Sequence, residues 1–366
     1  MPEKLVLYRF LDGTTVEVEL PFTDYADIPQ MMKDLGIKDY VDTSYFPMKR
    51  AIVTLWAARN AYRLHEIFPD KFPKRFTKDK LNIALFGGGA IKLHSESANK
   101  VPYLNRVMKD VDFMFWKKHG YQIYKLLLML GDLFGTKYFH FIIPQDRMFN
   151  AWRHGDRYRI RAFDGFEDDN KPIVGVMDLI ADKLEMRHVV NCSDELKKPE
   201  SNMYTIGLEN LILSKAQYIL DADKSAIEEL RSMDQDYRVL NYPYYNEDKI
   251  LVGMELKDMK DVFSLILDHE VTEKGGSEEI SLKKLKDKLK KDKKLALTVR
   301  LNLENMVDVV DHVFSKEVGS SRAGNVKDKL QEILNYIPKV DKKWNKPWWN
   351  VSVETPTTGV EGLSTQ

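Results

Sequence analysis

The sequence predicts an α/β, more specifically α+β, protein with a mixed sheet in its middle and a mostly helical C-terminal region. Three observations predict it. Strand-like and helix-like patterns interleave between Leu81 and Ile180. Three consecutive glycines, Gly87-Gly88-Gly89, stand where an apolar strand gives way to a helical pattern. From Leu208 onward the apolar residues recur with the helical period.

The elements follow in chain order. Residues Leu5 to Leu20 alternate apolar and polar on either side of Asp12-Gly13, a hairpin signal. Helical periodicity runs from Tyr25 to Leu35 and again from Met48 to Ile67, with Pro69 and Pro73 ending the second stripe. Leu81 to Phe86 reads as a short strand feeding the glycines, and Ala90 to His94 as the start of a helix. Val111 to Phe115 is a second strand, Tyr121 to Phe134 an apolar helix and Tyr138 to Ile143 a third strand. Arg157 to Phe163 and Ile173 to Ile180 read as a strand pair joined by the acidic turn Asp168-Asp169-Asn170. Helices are expected over Leu208–Leu220, Ala226–Met233, Met254–Asp268, Leu282–Leu303 and Val326–Ile337. Gly275-Gly276-Ser277 and Gly319-Ser320-Ser321 are expected as loops. The expected organisation is an N-terminal accessory region (1–75), a central core (76–205), a helical C-terminal domain (206–345) and a loose tail (346–366).

Composition narrows the class. Of 366 residues, 43% are hydrophobic and 31% charged, enough to build a packed core rather than a disordered chain. Basic and acidic residues number 56 each, so any interaction with nucleic acid must come from local clustering of charge. The single cysteine, Cys192, excludes an intramolecular disulfide and a cysteine-based zinc cage, and suits a reducing compartment. No secretory signal is read at the N-terminus, and the apolar run around Leu126–Leu130 is too short to span a bilayer. The expectation is a cytoplasmic protein without a membrane partner.

The chemistry concentrates in the centre. Asp110 and Asp112 occupy positions i and i+2 of a strand, so their carboxylates share a face about 6–7 Å apart. Such a pair suits Mg²⁺, a hard cation that takes oxygen ligands. Asp178 interrupts the apolar run Val174–Met177, and an aspartate in a buried strand is costly unless paired or metal-bound, which makes it the candidate third acid. Gly87, Gly88 and Gly89 remove side chains at a helix N-terminus, where a phosphate could approach free N–H groups; Lys92 lies one turn on. Taken singly, an Asp-x-Asp strand is also what a solvated edge strand shows, and a triple glycine is also a tight turn. A dinucleotide-binding loop is excluded, because Lys92 stands where its third glycine should be.

Gly87-Gly88-Gly89-Ala90-Ile91-Lys92-Leu93 followed by Arg106-Val107-Met108-Lys109-Asp110-Val111-Asp112-Phe113 resembles the AbiEii-type nucleotidyltransferases. These are toxins of phage-defence and toxin–antitoxin systems in the DNA polymerase β superfamily. Leu208–Ala216, with Lys215, resembles the helix carrying the family lysine, and Leu256–Val262, with Asp258 and Asp261, the helix carrying downstream acids. Asp234 and Asp236 are rival matches for that acid. The family serine is replaced by Met108, and the loop before Arg106 is longer than the pattern. The resemblance implies a polymerase-β-like core with Mg²⁺ (or Mn²⁺) on Asp110, Asp112 and Asp178. It implies nucleotide contacts from Gly87, Gly88, Gly89, Lys92 and Arg106, and a catalytic Lys215 positioned by Asp258 or Asp261. The implied reaction moves a nucleoside monophosphate from an NTP to an acceptor hydroxyl, on tRNA or protein, with a cognate antitoxin as partner. A degenerate relative that only binds, and a small-molecule nucleotidyltransferase, share the same motif.

Two peripheral features complete the reading. Lysines crowd the segment from Lys283 to Lys294 above an apolar stripe of Leu282, Leu285 and Leu289. This is either a solvated helix face or a contact for a phosphate backbone. Trp344, Trp348 and Trp349 lie among Lys342, Lys343 and Lys346, and are expected to anchor the C-terminal segment rather than stack bases.

Overall fold

Tandem helices and small sheets alternate along the chain in the computed structural model, which describes residues 4–9, 15–20, 28–67, 81–134, 155–166, 172–197, 204–244, 246–340 and 344–351. The strands are β1 (Lys4–Arg9), β2 (Thr15–Leu20), β3 (Ile83–Phe86), β4 (Asp110–Phe115), β5 (Arg157–Phe166), β6 (Pro172–Ala181), β7 (Lys183–Glu185), β8 (Val189–Asn191), β9 (Leu220–Asp223), β10 (Val239–Leu240), β11 (Lys249–Val252), β12 (Glu270–Thr272) and β13 (Glu279–Ser281). The principal helices are α1 (Ile28–Leu35), α2 (Phe46–Arg59), α3 (Ala61–Ile67), α4 (Gly87–His94), α5 (Gly120–Phe134), α6 (Leu208–Ala216), α7 (Ala226–Ser232), α8 (Leu256–Asp268), α9 (Leu282–Lys291), α10 (Lys293–Val309) and α11 (Ser320–Tyr336). The expected strand Tyr138–Ile143, the prolines Pro69 and Pro73, and the turn Asp168-Asp169-Asn170 lie outside the described residues.

The chain divides into two units. The first takes 1–93, 107–183 and 191–206; the second takes 94–106, 184–190 and 207–366. The first therefore joins the expected N-terminal region with most of the expected core, and the step from Ile206 to Gly207 falls at the expected start of the helical region.

In the first unit β1 and β2 pair antiparallel, as the Asp12-Gly13 signal predicts. The main sheet has the order β3-β4-β6-β5 and is mixed: β3 and β5 run antiparallel to their neighbours, while β4 and β6 are parallel. Val111, Phe113, Met177 and Leu179 are fully buried, and each large side chain so buried contributes about 2–3 kcal/mol. Phe115 stacks toward Tyr158, which in turn stacks on Tyr124 of α5 at 4.8 Å. Helix α2 is buried nearly all round because it packs on α1, β3, β4 and α5. The single helix expected over Met48–Ile67 breaks at Asn60, whose side-chain amide donates to the Trp56 carbonyl and competes with the helical ladder.

The second unit is more helical but is not purely so. Leu220, expected at the end of a helix, belongs instead to β9, which pairs with β11 in a three-stranded sheet of order β10-β11-β9. β12 and β13 form a parallel pair around the glycine loop. Buried Asn302 holds these pieces together. Its Nδ2 donates to the carbonyls of Ala216 and Tyr218, and its Oδ1 accepts from the Met254 N–H. The long helix expected over Leu282–Leu303 is two helices, because Asp292 leaves helical geometry and caps α10 by accepting from the N–H groups of Lys294 and Leu295. Ser320, expected in a loop, opens α11 after Gly319, whose φ of 90° a glycine adopts without strain. Trp348 and Trp349 are buried with Leu240, Leu251 and Leu297, and the Trp348 indole donates to Thr298. The anchoring role expected of the tryptophans is observed, and the segment expected as tail from 346 begins inside this core.

Candidate active site

The strand-to-helix junction fixes the first cluster, which belongs wholly to the first unit. β3 is buried throughout, and its last residue, Phe86, pairs with Asp112. Gly87 follows with φ of 63°, and a Cβ there would lie 2.7 Å from Asp112 Oδ2. The glycine is thus required for a reason the sequence reading did not foresee. It makes room for the Asp112 carboxylate against the backbone. A Cβ at Gly89 would meet Leu85 and Met108 at 3.2 Å, so the Met108 side chain packs beneath the glycine helix. Gly88 is the partly exposed member of the three.

Lys92 departs from expectation. It is 3% exposed, with its ammonium 5.7 Å from the Tyr45 ring centre and close enough to Asp42 to help hold that carboxyl low, after the Ser44 N–H that it accepts from. In this structure the side chain is turned into the protein interior, toward Tyr45 and Asp42.

The three aspartates share one face of the sheet. Asp112 on β4 and Asp178 on β6 are register partners on parallel neighbours, and Asp110 shares their face two residues earlier. Burial and the negative Asp178 push the Asp110 carboxyl above its ordinary range, against the pull of Arg159, Lys109 and the Val176 N–H. Asp178 has the opposite fate. Arg157 donates to its Oδ2 at 2.7 Å, and Arg159 donates to both oxygens at 2.9 and 3.0 Å. Burial raises the Asp178 carboxyl, but the two guanidinium groups outweigh it and leave the carboxyl below its usual value. The sequence reading missed these arginines. Their signal was present as Arg157-Tyr158-Arg159, two cations at strand spacing on one face of β5.

This arrangement tests the metal expectation. Asp110 and Asp112 supply hard oxygen donors on one face, and a cation there would relieve the repulsion that raises Asp110, so the pair fits Mg²⁺. Asp178 fits less well, because both of its oxygens face guanidinium groups. Among the described residues the three aspartates do not gather their oxygens within the 4.8 Å that another group of three, His94, His269 and Glu278, achieves.

The second cluster lies in the second unit. Lys215 near the end of α6 is held by Asp258 at 2.8 Å and Asp261 at 2.9 Å, both from α8. Arg106 completes the network, donating its Nε and Nη2 to Asp261 at 2.9 and 2.7 Å. Asp261 is 6% exposed, and Lys215 and Asp258 about 15% and 14%. Burial acts first to lower the Lys215 ammonium, but the two carboxylates overcome it and hold the amine above its ordinary range. Burial likewise raises Asp261, and Lys215 with Arg106 brings it below. Asp234 and Asp236 sit exposed at the end of α7 and just beyond it, so Asp258 and Asp261 are the acids that reach the lysine.

The lysine run forms the outer face of α9, with Leu282, Leu285 and Leu289 buried beneath it, and ends with Lys293 and Lys294 in the first turn of α10. Lys286 lies over Tyr336 and Lys294 over Trp344. Among the described residues no helix is long and apolar enough to cross a membrane. Compared with protein-family models, curated proteins and solved structures, the chain finds no match.

Proposed function

We propose that the chain is a metal-dependent nucleotidyltransferase that moves a nucleoside monophosphate from an NTP to an acceptor hydroxyl. The observation that supports this best is the shared face of Asp110, Asp112 and Asp178, with Asp112 seated against Gly87 at the mouth of a strand-to-helix turn. A second support is that Lys215, Asp258, Asp261 and Arg106, taken from scattered motifs of one resemblance, are bonded to one another.

In this reading Asp110 and Asp112 hold Mg²⁺ or Mn²⁺. The bound cation would neutralise charge on the triphosphate as pyrophosphate leaves the α-phosphorus. The ordered position of Asp112 fixes where that charge is met, and the partly exposed backbone at Gly88 leaves the first turn of α4 open to a phosphate oxygen. Arg157 and Arg159 neutralise Asp178 and lower the negative potential beside it. Against burial, Asp258 and Asp261 hold the Lys215 ammonium above its ordinary range, so Lys215 is not a general base, and its charge serves the network that ties α6 to α8. The lysine face of α9 suits a phosphate backbone, so the acceptor is taken to be a nucleic acid; a tRNA is what the resemblance alone implies.

A second reading, a protein that binds nucleotide without transferring it, is favoured by one observation: both oxygens of the third acid are taken by arginines. Incubation with each α-³²P-labelled NTP, Mg²⁺ and total RNA separates the two. Label on RNA or protein that disappears in Asp112→Ala supports transfer. Mg²⁺-dependent NTP binding without label supports the second reading, and absence of both removes the nucleotide from the proposal.

A further inference from the structure

The glycine loop of the second unit brings together three residues that the nucleotidyltransferase reading does not use. β12 and β13 run parallel with Glu270 opposite Glu279, so the residues just before them, His269 and Glu278, face each other at the mouth of the pair. His269 Nδ1 lies 2.9 Å from the Glu278 carbonyl oxygen, in position to donate to it. His94, the last residue of α4, brings its Nδ1 to 3.0 Å from Glu278 Oε2, and its ring meets that of His269 edge-on at 6.0 Å. One ligand atom from each of the three residues lies within 4.8 Å of the other two.

We propose that His94, His269 and Glu278 bind a single divalent transition-metal ion of the zinc class. Two imidazoles and one carboxylate are the donor set that Zn²⁺, Co²⁺ and Ni²⁺ take, and three protein ligands leave a further coordination position open. The geometry around His269 is compatible with a metal-binding tautomer, with Nδ1 3.8 Å from Glu278 Oε2. A metal-binding histidine commonly donates its other ring N–H to a backbone carbonyl, as His269 Nδ1 is placed to do toward Glu278. That leaves Nε2 as the nitrogen with the lone pair, and His269 Nε2 is buried without a hydrogen-bond partner. A buried acceptor of this kind is costly unless something fills its lone pair.

The surroundings hold the ligands in place. Lys329 of α11 donates to the His269 carbonyl at 2.9 Å, and the Ser97 N–H donates to Asp268, one residue before His269. Both imidazoles are nearly buried, with side chains 3% and 5% exposed, while the Glu278 side chain is 45% exposed. An ion therefore enters from the carboxylate side. Two of the three donors are imidazole nitrogens, so the site differs in metal preference from the all-oxygen aspartate face and does not depend on that face being catalytic.

The test uses the full-length protein, stripped with a chelator and then titrated with Co²⁺ and with Zn²⁺, followed by calorimetry and visible absorption. The expected result is one Co²⁺ per chain with d–d bands of nitrogen–oxygen coordination, displaced by Zn²⁺, and a thermal midpoint raised by Zn²⁺. His269→Gln and Glu278→Gln should each weaken binding at least about tenfold, while Asp112→Ala leaves it unchanged. Should His269→Gln fail to fold, the exposed Glu278→Gln decides alone. Unchanged affinity in Glu278→Gln, loss of the cobalt bands in Asp112→Ala, or no binding by the intact chain would each overturn the proposal. The cluster would then be a hydrogen-bonded latch and nothing more.

Discussion

The aspartate face of the first unit and the lysine network of the second are built from the same ingredients with opposite balance. On the sheet, Asp110, Asp112 and Asp178 are set against Arg157 and Arg159, and the acid left over is pushed upward in pKa. In the helices, Lys215 and Arg106 meet Asp258 and Asp261 one for one, and the carboxylate at the centre, Asp261, is pulled downward. The contrast teaches that buried charge is not one kind of feature. A surplus of one sign keeps a face receptive to a cation, whereas a matched set closes on itself and fixes the helices that carry it.

The sharpest break of this comparison is Asp112→Ala. It should lower nucleotidyl transfer by about a thousandfold or more, the scale expected when a metal-anchored charge clamp is lost. Circular dichroism should show the fold retained. Full activity in this variant would mean that the surplus acid face is not the reaction centre.

Next in size is Lys215→Met, which leaves Asp258 and Asp261 without their shared ammonium. Removing one member of a buried ion network costs about 3–5 kcal/mol, read as a lower midpoint in urea unfolding. A change of less than about 1 kcal/mol would show the network to be solvated and the comparison to be false.

Acid titration sharpens the contrast because the two regions respond with opposite sign. Asp261, with its folded pKa depressed, contributes stability that is present above about pH 3.8 and lost as pH falls through the depressed value. Asp110, with its folded pKa raised, gains protons in the folded state first, so its repulsion is relieved as pH falls toward 3.8. His188 adds a third slope. Burial against Thr298 lowers its pKa from 6.5 to about 4, so the unfolded chain protonates first and roughly 3 kcal/mol is lost as pH falls across that window. Stability measured from pH 7 to 4 should fall in the intact chain and fall less in His188→Gln; equal slopes would show that His188 titrates normally.

The smallest effect expected is that of Asp110→Asn. Asp110 lies at the strand end, its carboxyl only partly desolvated and largely open to solvent, so relief of its repulsion should raise stability by only a few tenths of a kcal/mol. A lowered melting midpoint would mean that its bond from Val176 outweighs the repulsion from Asp178.

Several features were legible before any coordinates. The hairpin, β3, β4 and the β5–β6 pair follow from alternation and short apolar runs, and the aspartates at i and i+2 could face only one way. The link of Lys215 to Asp258 and Asp261, 43 and 46 residues downstream, was read from a resemblance and not from spacing. What escaped was of two kinds. Local competition broke helices at Asn60 and Asp292, where a polar side chain bonds nearby backbone and the apolar stripe runs on regardless. Long-range pairing turned Leu220 into a strand residue, because β11 offers it a partner that no local window contains.

By itself, the sequence determined which residues bear charge, which faces are apolar and which positions tolerate a bare backbone, since these depend on side-chain chemistry and the fixed periods of strand and helix. Only the tertiary structure decided how each charge is met. It gave Asp178 two arginines, turned Lys92 inward to Tyr45, used Gly87 to admit a carboxylate, and gathered His94, His269 and Glu278 from across 184 residues of chain. The physical reason is that the energy of a buried polar group is set by its nearest partners in space, and those partners are chosen by the packing of the whole fold.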